Sequence, residues 1–256
     1  MLSKKNIIVI NVVLLFCINL YGSNEILDKV DNFRLPFLNA KIYVSFTSFV
    51  NNKQTDNKDY LVNYNEKNES LVLLTNSSAK GQRILMKHSG LWFYSPNSQK
   101  PIRITPLQRA TGEASYGDIA SMRYKTSYKL IKIINNTSLP KNSIYNISYK
   151  GSVIELQLEG VSSILSYPLI KLWVNATTYQ PLLAHFAYAS GKISKIAVYG
   201  DIDATKNNKT YISSITYINL LDTSKITKSK VKDVIIVDNF PTQYFNIDLF
   251  MKAFIK

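Results

Sequence analysis

The chain has 256 residues, a formal net charge of +14 and a single cysteine, Cys17. That length suits one domain with a substantial core, and no Pro/Gly/Ser-rich linker or internal repeat divides it. One cysteine excludes an internal disulfide and a thiolate zinc site, while the positive charge fits either an anionic membrane surface or an ordinary solvated basic surface.

At the N-terminus, Lys4 and Lys5 precede an apolar run from Ile7 to Leu20, and Gly22 and Ser23 follow. This order describes a secretory signal peptide over residues 1–23. The run is short for a membrane span and is broken by Asn11 and Asn19. An uncleaved anchor is the alternative. Cys17 follows the large Phe16 rather than a small residue, so it reads as an apolar residue of the signal and not as a lipid attachment point. The expected product is a periplasmic domain over 24–256. In that compartment nucleic acid is not an expected partner. Peripheral contact with an anionic lipid surface is, and Lys225, Lys228, Lys230 and Lys232 form a loose cluster that suits it.

Asn24 is placed to cap a short helix over 25–33, with Ile26, Leu27 and Val30 on one face. Residues 41–50 alternate, with Ile42, Val44, Phe46 and Ser48 on one side, which predicts a strand. Further strands are expected over 60–64, 70–75, 82–87 and 91–94, joined by turns at 65–68, 76–80 and 88–90. A polar loop over 105–117 leads to Asp118, a candidate N-cap for a helix over 119–123. Strands then follow over 127–134, 144–149, 153–158, 170–174, 182–188, 193–199, 211–220 and 231–237. Ile247, Phe250, Met251 and Phe254 suggest an amphipathic helix over 246–254.

The expected fold class is therefore mainly β: one large curved antiparallel sheet or partial barrel, with a few short helices and no βαβ rhythm. Curvature collects one apolar face of each strand on the concave side. That side is either an ordinary packed core or an apolar hollow able to take an acyl chain. An integral outer-membrane barrel needs regular strands with an outward apolar girdle, and Lys and Asn recur too often for that.

Catalytic motifs are missing. His88 and His185 are the two histidines, and no His/Asp/Glu spacing around them builds a metal site. Ser89 lies outside any G-x-S-x-G elbow. Ser190-Gly191-Lys192 reads as a hairpin turn and not as a phosphate loop. No cofactor, metal or catalytic residue is expected.

Two blocks carry a family likeness. Residues 91–118 read LWFYSPNSQKPIRITPLQRATGEASYGD, giving W-x-Y-x-P at Trp92, Tyr94 and Pro96, then Arg103-Ile104, Arg109, Gly112 and Tyr116-x-Asp118-Ile119. Residues 152–199 add Glu155-Leu156, Trp173-Val174-Asn175, Gln180-Pro181-Leu182 and Ser190-Gly191-Lys192 in the same succession. In order and spacing these resemble the outer-membrane lipoprotein-sorting proteins, the LolA/LolB-like carriers. The segment 131–150 is individual to this chain, and 109–118 is shorter and less rich in Gly, Ser and Asp than is usual in that family.

The resemblance implies an unclosed β-barrel lidded by helices and loops around an apolar cavity. It implies a periplasmic carrier of lipoprotein acyl chains or other lipids, working with an inner-membrane transporter and an outer-membrane acceptor. The strand faces expected to meet in the hollow are Val44 and Phe46, Ile84 and Met86, Trp92 and Tyr94, Ile154 and Leu156, and Leu182 and Phe186. The two members of each pair share a face. Which face is concave stays open, because a one-residue slip reverses every assignment. Trp92 and Tyr94 equally suit a packed aromatic pair. Arg103 and Arg109 are expected to pair with Glu113 or Asp118 as a weak latch on a movable lid made of the loop 105–117 and the helix after Asp118. A second functional class, an extracytoplasmic hydrolase or polymer-binding protein, would instead place converging polar groups on the concave face.

Overall fold

A computed structural model describes residues 24–252, apart from 77–80, 89, 106, 120–122, 142, 146, 163–164 and 206–207. The expected signal segment 1–23, Cys17 and Phe254 lie outside the described residues.

Helix α1 covers residues 24–34. Six strands follow: β1 (Ala40–Val50), β2 (Lys53–Tyr64), β3 (Ser70–Leu74), β4 (Arg83–Lys87), β5 (Gly90–Tyr94) and β6 (Ile102–Ile104). A small hairpin, β7 (Arg109–Thr111) with β8 (Ala114–Ser115), runs directly into α2 (Tyr116–Ile119), and α3 (Tyr124–Ser127) precedes β9 (Tyr128–Thr137). Next come β10 (Val153–Gly160), β11 (Leu169–Asn175), β12 (Pro181–Ala187), β13 (Ile193–Tyr199), the hairpin β14 (Ile202–Ala204) and β15 (Thr210–Ile212), β16 (Ser214–Asn219) and β17 (Lys225–Ile236). Two 3-10 turns, Thr242–Phe245 and Phe250–Lys252, close the described chain. No helix among the described residues is long and apolar enough to cross a membrane.

Thirteen strands form one antiparallel sheet in the order β6-β5-β4-β3-β2-β1-β17-β16-β13-β12-β11-β10-β9. β6 and β9 are its two edges and do not pair with each other, so the barrel is unclosed. One apolar cluster takes residues from both halves of the sheet: Val44, Val62, Ile84 and Met86 with Leu156, Leu172 and Phe186. The sheet must curl around that cluster, which defines the inner face. α1 enters the same cluster through Leu27 and Val30, and α2 and α3 through Ile119 and Tyr124.

The outer face is not uniformly polar. Leu61, Leu71, Leu73 and Leu85 are covered by Phe245 and Phe250 of the C-terminal turns. Val153, Trp173, Leu183 and Ile196 are covered by Tyr145 and its neighbours in the β9–β10 connection. Consequently β3 and β12 are buried along their whole lengths.

Several expected elements change. The described residues of 144–149 hold no strand, only a lone bridge at Tyr145, and they cover the outer face with Tyr145 over His185. In place of the helix over 246–254, the described residues 246–252 form a turn and the 3-10 turn Phe250–Lys252, which places Ile247 and Phe250 in the outer-face cluster; 253 and 254 lie outside the described residues. The strand over 211–220 is split at Ser213, whose N–H turns to the Asp201 carbonyl (2.8 Å). β2 starts seven residues earlier than its apolar pattern does. The two-residue turn Asn51-Asn52, with φ of 49° and 61°, is a tight primed hairpin that pairs the polar stretch 53–59 with β1. Asp118 is not an N-cap: Ser115 caps α2, its Oγ accepting from the Asp118 N–H (3.3 Å) while Asp118 Oδ2 accepts from the Ser115 N–H (2.7 Å), a reciprocal capping box.

Candidate ligand hollow

The inner face is closed by two pieces, a helical plug and a hairpin lid. The plug is α1. Asp31, fully buried on it, accepts from Arg34 Nη1 (2.9 Å) and from the N–H groups of Tyr124 (3.0 Å) and Lys125 (2.9 Å). One carboxylate thus ties α1 to the first turn of α3. Burial pushes the Asp31 carboxyl above its usual range, while the Arg34 charge and the two amides act in the opposite sense. The Arg34 guanidinium lies 4.1 Å from the Tyr124 ring centroid. Arg123 reinforces the plug by donating to the Leu35 carbonyl (2.7 Å) and to Tyr64 Oη (2.7 Å).

The lid is the β7–β8 hairpin and α2. Its tip, Gly112, has φ of +48°, and a Cβ there would fall 2.1 Å from Ser48 Oγ and 2.3 Å from Thr227 Oγ1. Only glycine permits both that conformation and that approach. Polar contacts fasten the lid to the sheet. Asn219 Nδ2 donates to Glu113 Oε2 (2.8 Å), Lys58 Nζ to the Ala110 carbonyl (3.2 Å), and Lys195 pairs with Asp118. In the other direction, the Glu113 N–H donates to Thr227 Oγ1 (2.8 Å) and Thr111 Oγ1 to Asp56 Oδ2 (3.2 Å).

Between plug, lid and sheet lie two small chambers. One, about 70 Å³, is mainly apolar and is lined by Val44, Phe46, Val62, Ile119 and Ile215 among others. The other, about 40 Å³, is lined by Tyr124, Tyr128, Tyr167, Phe186, Tyr199 and Tyr217. Arg34, Asp118, Ile215 and Tyr217 border both, so the chambers are adjacent. The Tyr124 and Tyr199 hydroxyls are 2.8 Å apart, and Tyr128 Oη donates to the Tyr167 carbonyl (2.9 Å). Burial pushes the phenols of Tyr128, Tyr199 and Tyr217 upward, so all three remain neutral. A third cavity of about 130 Å³ lies between the β4–β5 turn and the β10–β11 connection, with Met86, Leu91, His88 and Arg123 on its walls.

Seven of the ten residues expected to line the hollow share the inner cluster: Val44, Phe46, Ile84, Met86, Ile154, Leu156 and Phe186. Trp92 and Tyr94 do not. They lie on the outer face against the leucines of β3 and β4, and Phe93 is the β5 side chain that reaches inward. The register explains it, since inward Ile84 pairs with Phe93 and outward Leu85 with Trp92. Leu182 joins Leu183 in the other outer cluster. Of the latch residues, Arg103 lies over the Trp92 ring (6.0 Å), Arg109 opens β7, and Glu113 and Asp118 meet Asn219 and Lys195. Lys195, Arg34, Asp31 and the tyrosine set escaped sequence reasoning. For Lys195 the available signal was its period-two alignment with Ala197 and Tyr199 in ISKIAVY, which puts a lysine on an apolar strand face.

His185 lies on the outer face, 4.7 Å from Trp173 and 6.4 Å from Tyr145 by ring centroids. Burial, with Lys171 nearby, lowers its pKa to about 4, so it is neutral.

A single curved sheet wrapped around a lidded inner hollow defines a class of β-rich proteins with an enclosed interior. A family model described as an uncharacterized protein matches residues 66–250. Among solved structures, a LolA superfamily protein from Nitrosomonas europaea is 25% identical, with a TM-score of 0.73 over 88% of this chain and 97% of its own. A domain assigned to outer membrane lipoprotein sorting from Vibrio parahaemolyticus is 14% identical, with a TM-score of 0.67 over 88% and 97%. A DUF1329 family protein from Desulfovibrio piger is 12% identical, with a TM-score of 0.63 over 89% and 97%. No curated protein matches the sequence. The chain belongs to the family that the matching family model describes, and its fold is that of the LolA superfamily.

Proposed function

We propose that the protein is a periplasmic carrier, without chemistry of its own, that takes lipoprotein acyl chains or other lipids into the inner hollow and moves them toward the outer membrane. The observation that carries this reading is the construction of the lid: a continuous apolar inner face covered by a hairpin whose fastenings to the sheet are mainly polar. Buried polar fastenings need replacement partners when they part, so such a cover opens where water or the polar end of a ligand can take over those contacts.

The chambers of about 70 and 40 Å³ are well below the roughly 300–1,000 Å³ of ligand pockets. On this reading the described conformation is the closed one, and loading requires lid or plug to move. A chain of fourteen methylenes gains about 11 kcal/mol on burial, enough to offset the loss of several net hydrogen bonds. An inner-membrane transporter would load the carrier and an outer-membrane acceptor would unload it, with the basic surface assisting peripheral contact with anionic lipid. The segment 1–23 acts in this scheme as a cleaved signal peptide.

The test is mass spectrometry of lipid extracted from protein purified from the periplasm, with displacement of a fluorescent fatty acid in parallel. Co-purifying acyl lipid and saturable displacement are the expected results. No binding across several lipid classes would discard the carrier.

A further inference from the structure

Lys195 is the least expected residue on the inner face. It sits mid-strand on β13, 3% exposed, where its neighbours on the same face are Ala197 and Tyr199. Its Nζ is 4.6 Å from the ring centroid of Tyr167, 5.0 Å from Tyr217 and 5.1 Å from Phe186. Three aromatic faces compensate a buried ammonium only in part. The rest comes from Asp118, which lies in α2, accepts from the Ser115 N–H and so belongs to the lid. The other lid carboxylate, Glu113, accepts from Asn219 on β16, the strand next to β13, and Lys195 and Asn219 are directly paired across those two strands. Both carboxylates of the lid therefore end on one adjacent pair of donors fixed in the sheet.

This donor pair also lies at an entrance. A pocket of about 120 Å³ is lined by Glu113, Ser115, Ser194, Lys195 and Asn219, with Tyr167 at its inner side. Tyr167, Phe186 and Tyr217, the collar of Lys195, line the tyrosine chamber. The ion pair thus stands between an outer pocket and the hollow. Lifting the lid removes Glu113 and Asp118 together. The sheet keeps Lys195 and Asn219, one positive charge with a second donor beside it, at the mouth of an apolar space.

We infer that Lys195 and Asn219 form the headgroup site for an anionic single-chain lipid, and that Asp118 and Glu113 occupy this site as internal stand-ins while the lid is closed. This rests on the carrier reading and specifies its ligand: a carboxylate or phosphate headgroup at Lys195, with the chain running inward past Phe186 and Tyr217. An entering anion takes over the contacts that the lid gives up, so loading leaves no buried charge unpaired.

The experiment compares three ligands of one chain length, a fatty acid, a lysophosphatidate and a neutral monoacylglycerol, by displacement of a fluorescent probe from the full chain. Wild-type protein should bind at least one anion about tenfold more tightly than the neutral lipid, the value of one charge-assisted hydrogen bond. The tighter of the two anions identifies carboxylate or phosphate. Asp118→Asn, which removes a stand-in, should tighten that anion. Lys195→Gln alone strands Asp118, so the double variant Lys195→Gln/Asp118→Asn removes both members of the ion pair together, and in it anionic and neutral ligands should bind within about twofold. Equal binding of all three by the wild type, or an undiminished anionic preference in the double variant, overturns the headgroup site and leaves the carrier standing. Failure of all three to bind the wild type overturns both.

Discussion

Asp31 illustrates how much a single buried group can organise. Its carboxylate meets Arg34 and two backbone amides, and these are the contacts that orient α1 inside the sheet. Asp31→Ala removes the carboxylate that pairs with Arg34 and accepts from the first turn of α3. The expected loss is about 3–5 kcal/mol, and for a domain of this size a melting point lower by roughly 10 °C, read by thermal denaturation. Asp31→Asn should fall between the two, since it keeps an acceptor but no charge. His185 makes a different prediction. Its pKa is about 4 in the folded state and about 6.5 when exposed, so the unfolded chain takes up a proton that the folded chain refuses. Stability from this group is complete above about pH 6.5 and is lost as pH falls toward 4. His185→Phe should flatten that part of the stability profile, and an unchanged slope would assign the acid sensitivity to other groups. Neither role was legible beforehand. Asp31 looks like an ordinary surface charge in sequence, and the partners that keep Asp31 and Lys195 buried lie 93 and 77 positions away, at Tyr124 and Asp118.

Among the elements, the segment over 105–117 was legible as a polar break, because a polar stretch with Gly112 separates two apolar runs, and the structure folds 109–115 of it into the β7–β8 hairpin. What could not be read was how it is held. Glu113 and Asp118 find partners on β16 and β13, which no local pattern links to them. Gly112 gives the sharpest element-level test. Gly112→Ala adds a methyl group within 2.3 Å of two hydroxyls at a φ of +48°, so the hairpin tip must rise. Strain of about 1–2 kcal/mol from the left-handed backbone adds to the steric contact. Amide exchange across 109–119 should accelerate at least tenfold while β10–β13 stay as protected as in the wild type. If the hairpin remains as protected as the strands, it is a fixed part of the wall and not a lid. The elements that differed from expectation share one cause. Residues 144–149 and 246–252 have apolar side chains at spacings that imitate a strand and a helix, yet their task is to cover outer-face clusters as irregular segments.

At the scale of the whole molecule, the curved antiparallel sheet was readable from alternation, but its inner face was only partly so. Strands such as β3 and β12 are buried on both sides, because the C-terminal turns and the β9–β10 connection supply a second, outer layer of core. Where both faces are apolar, period two no longer identifies the inside, and in β5 it is Phe93, not Trp92 and Tyr94, that faces inward. The same architecture raises the question of whether the inner cluster is a site or merely a core, and two substitutions at neighbouring positions separate these. Phe46, 3% exposed and edge-on to Tyr60 at 5.6 Å, is part of the inner cluster in either case. Phe46→Asp buries an unpaired charge and should cost several kcal/mol of stability whether or not lipid ever enters. Val44 lines the chamber of about 70 Å³ and faces open space. Val44→Phe fills that space, so stability should stay within about 1–2 kcal/mol of the wild type. If acyl chains occupy the chamber, the same change should weaken fatty-acid binding at least tenfold, because the ligand must now displace a packed ring. A stable Val44→Phe protein that has lost lipid binding marks the chamber as the site. A stable one that binds as tightly as the wild type places the ligand elsewhere, the cleft beside Met86 and Leu91 being the next place to examine.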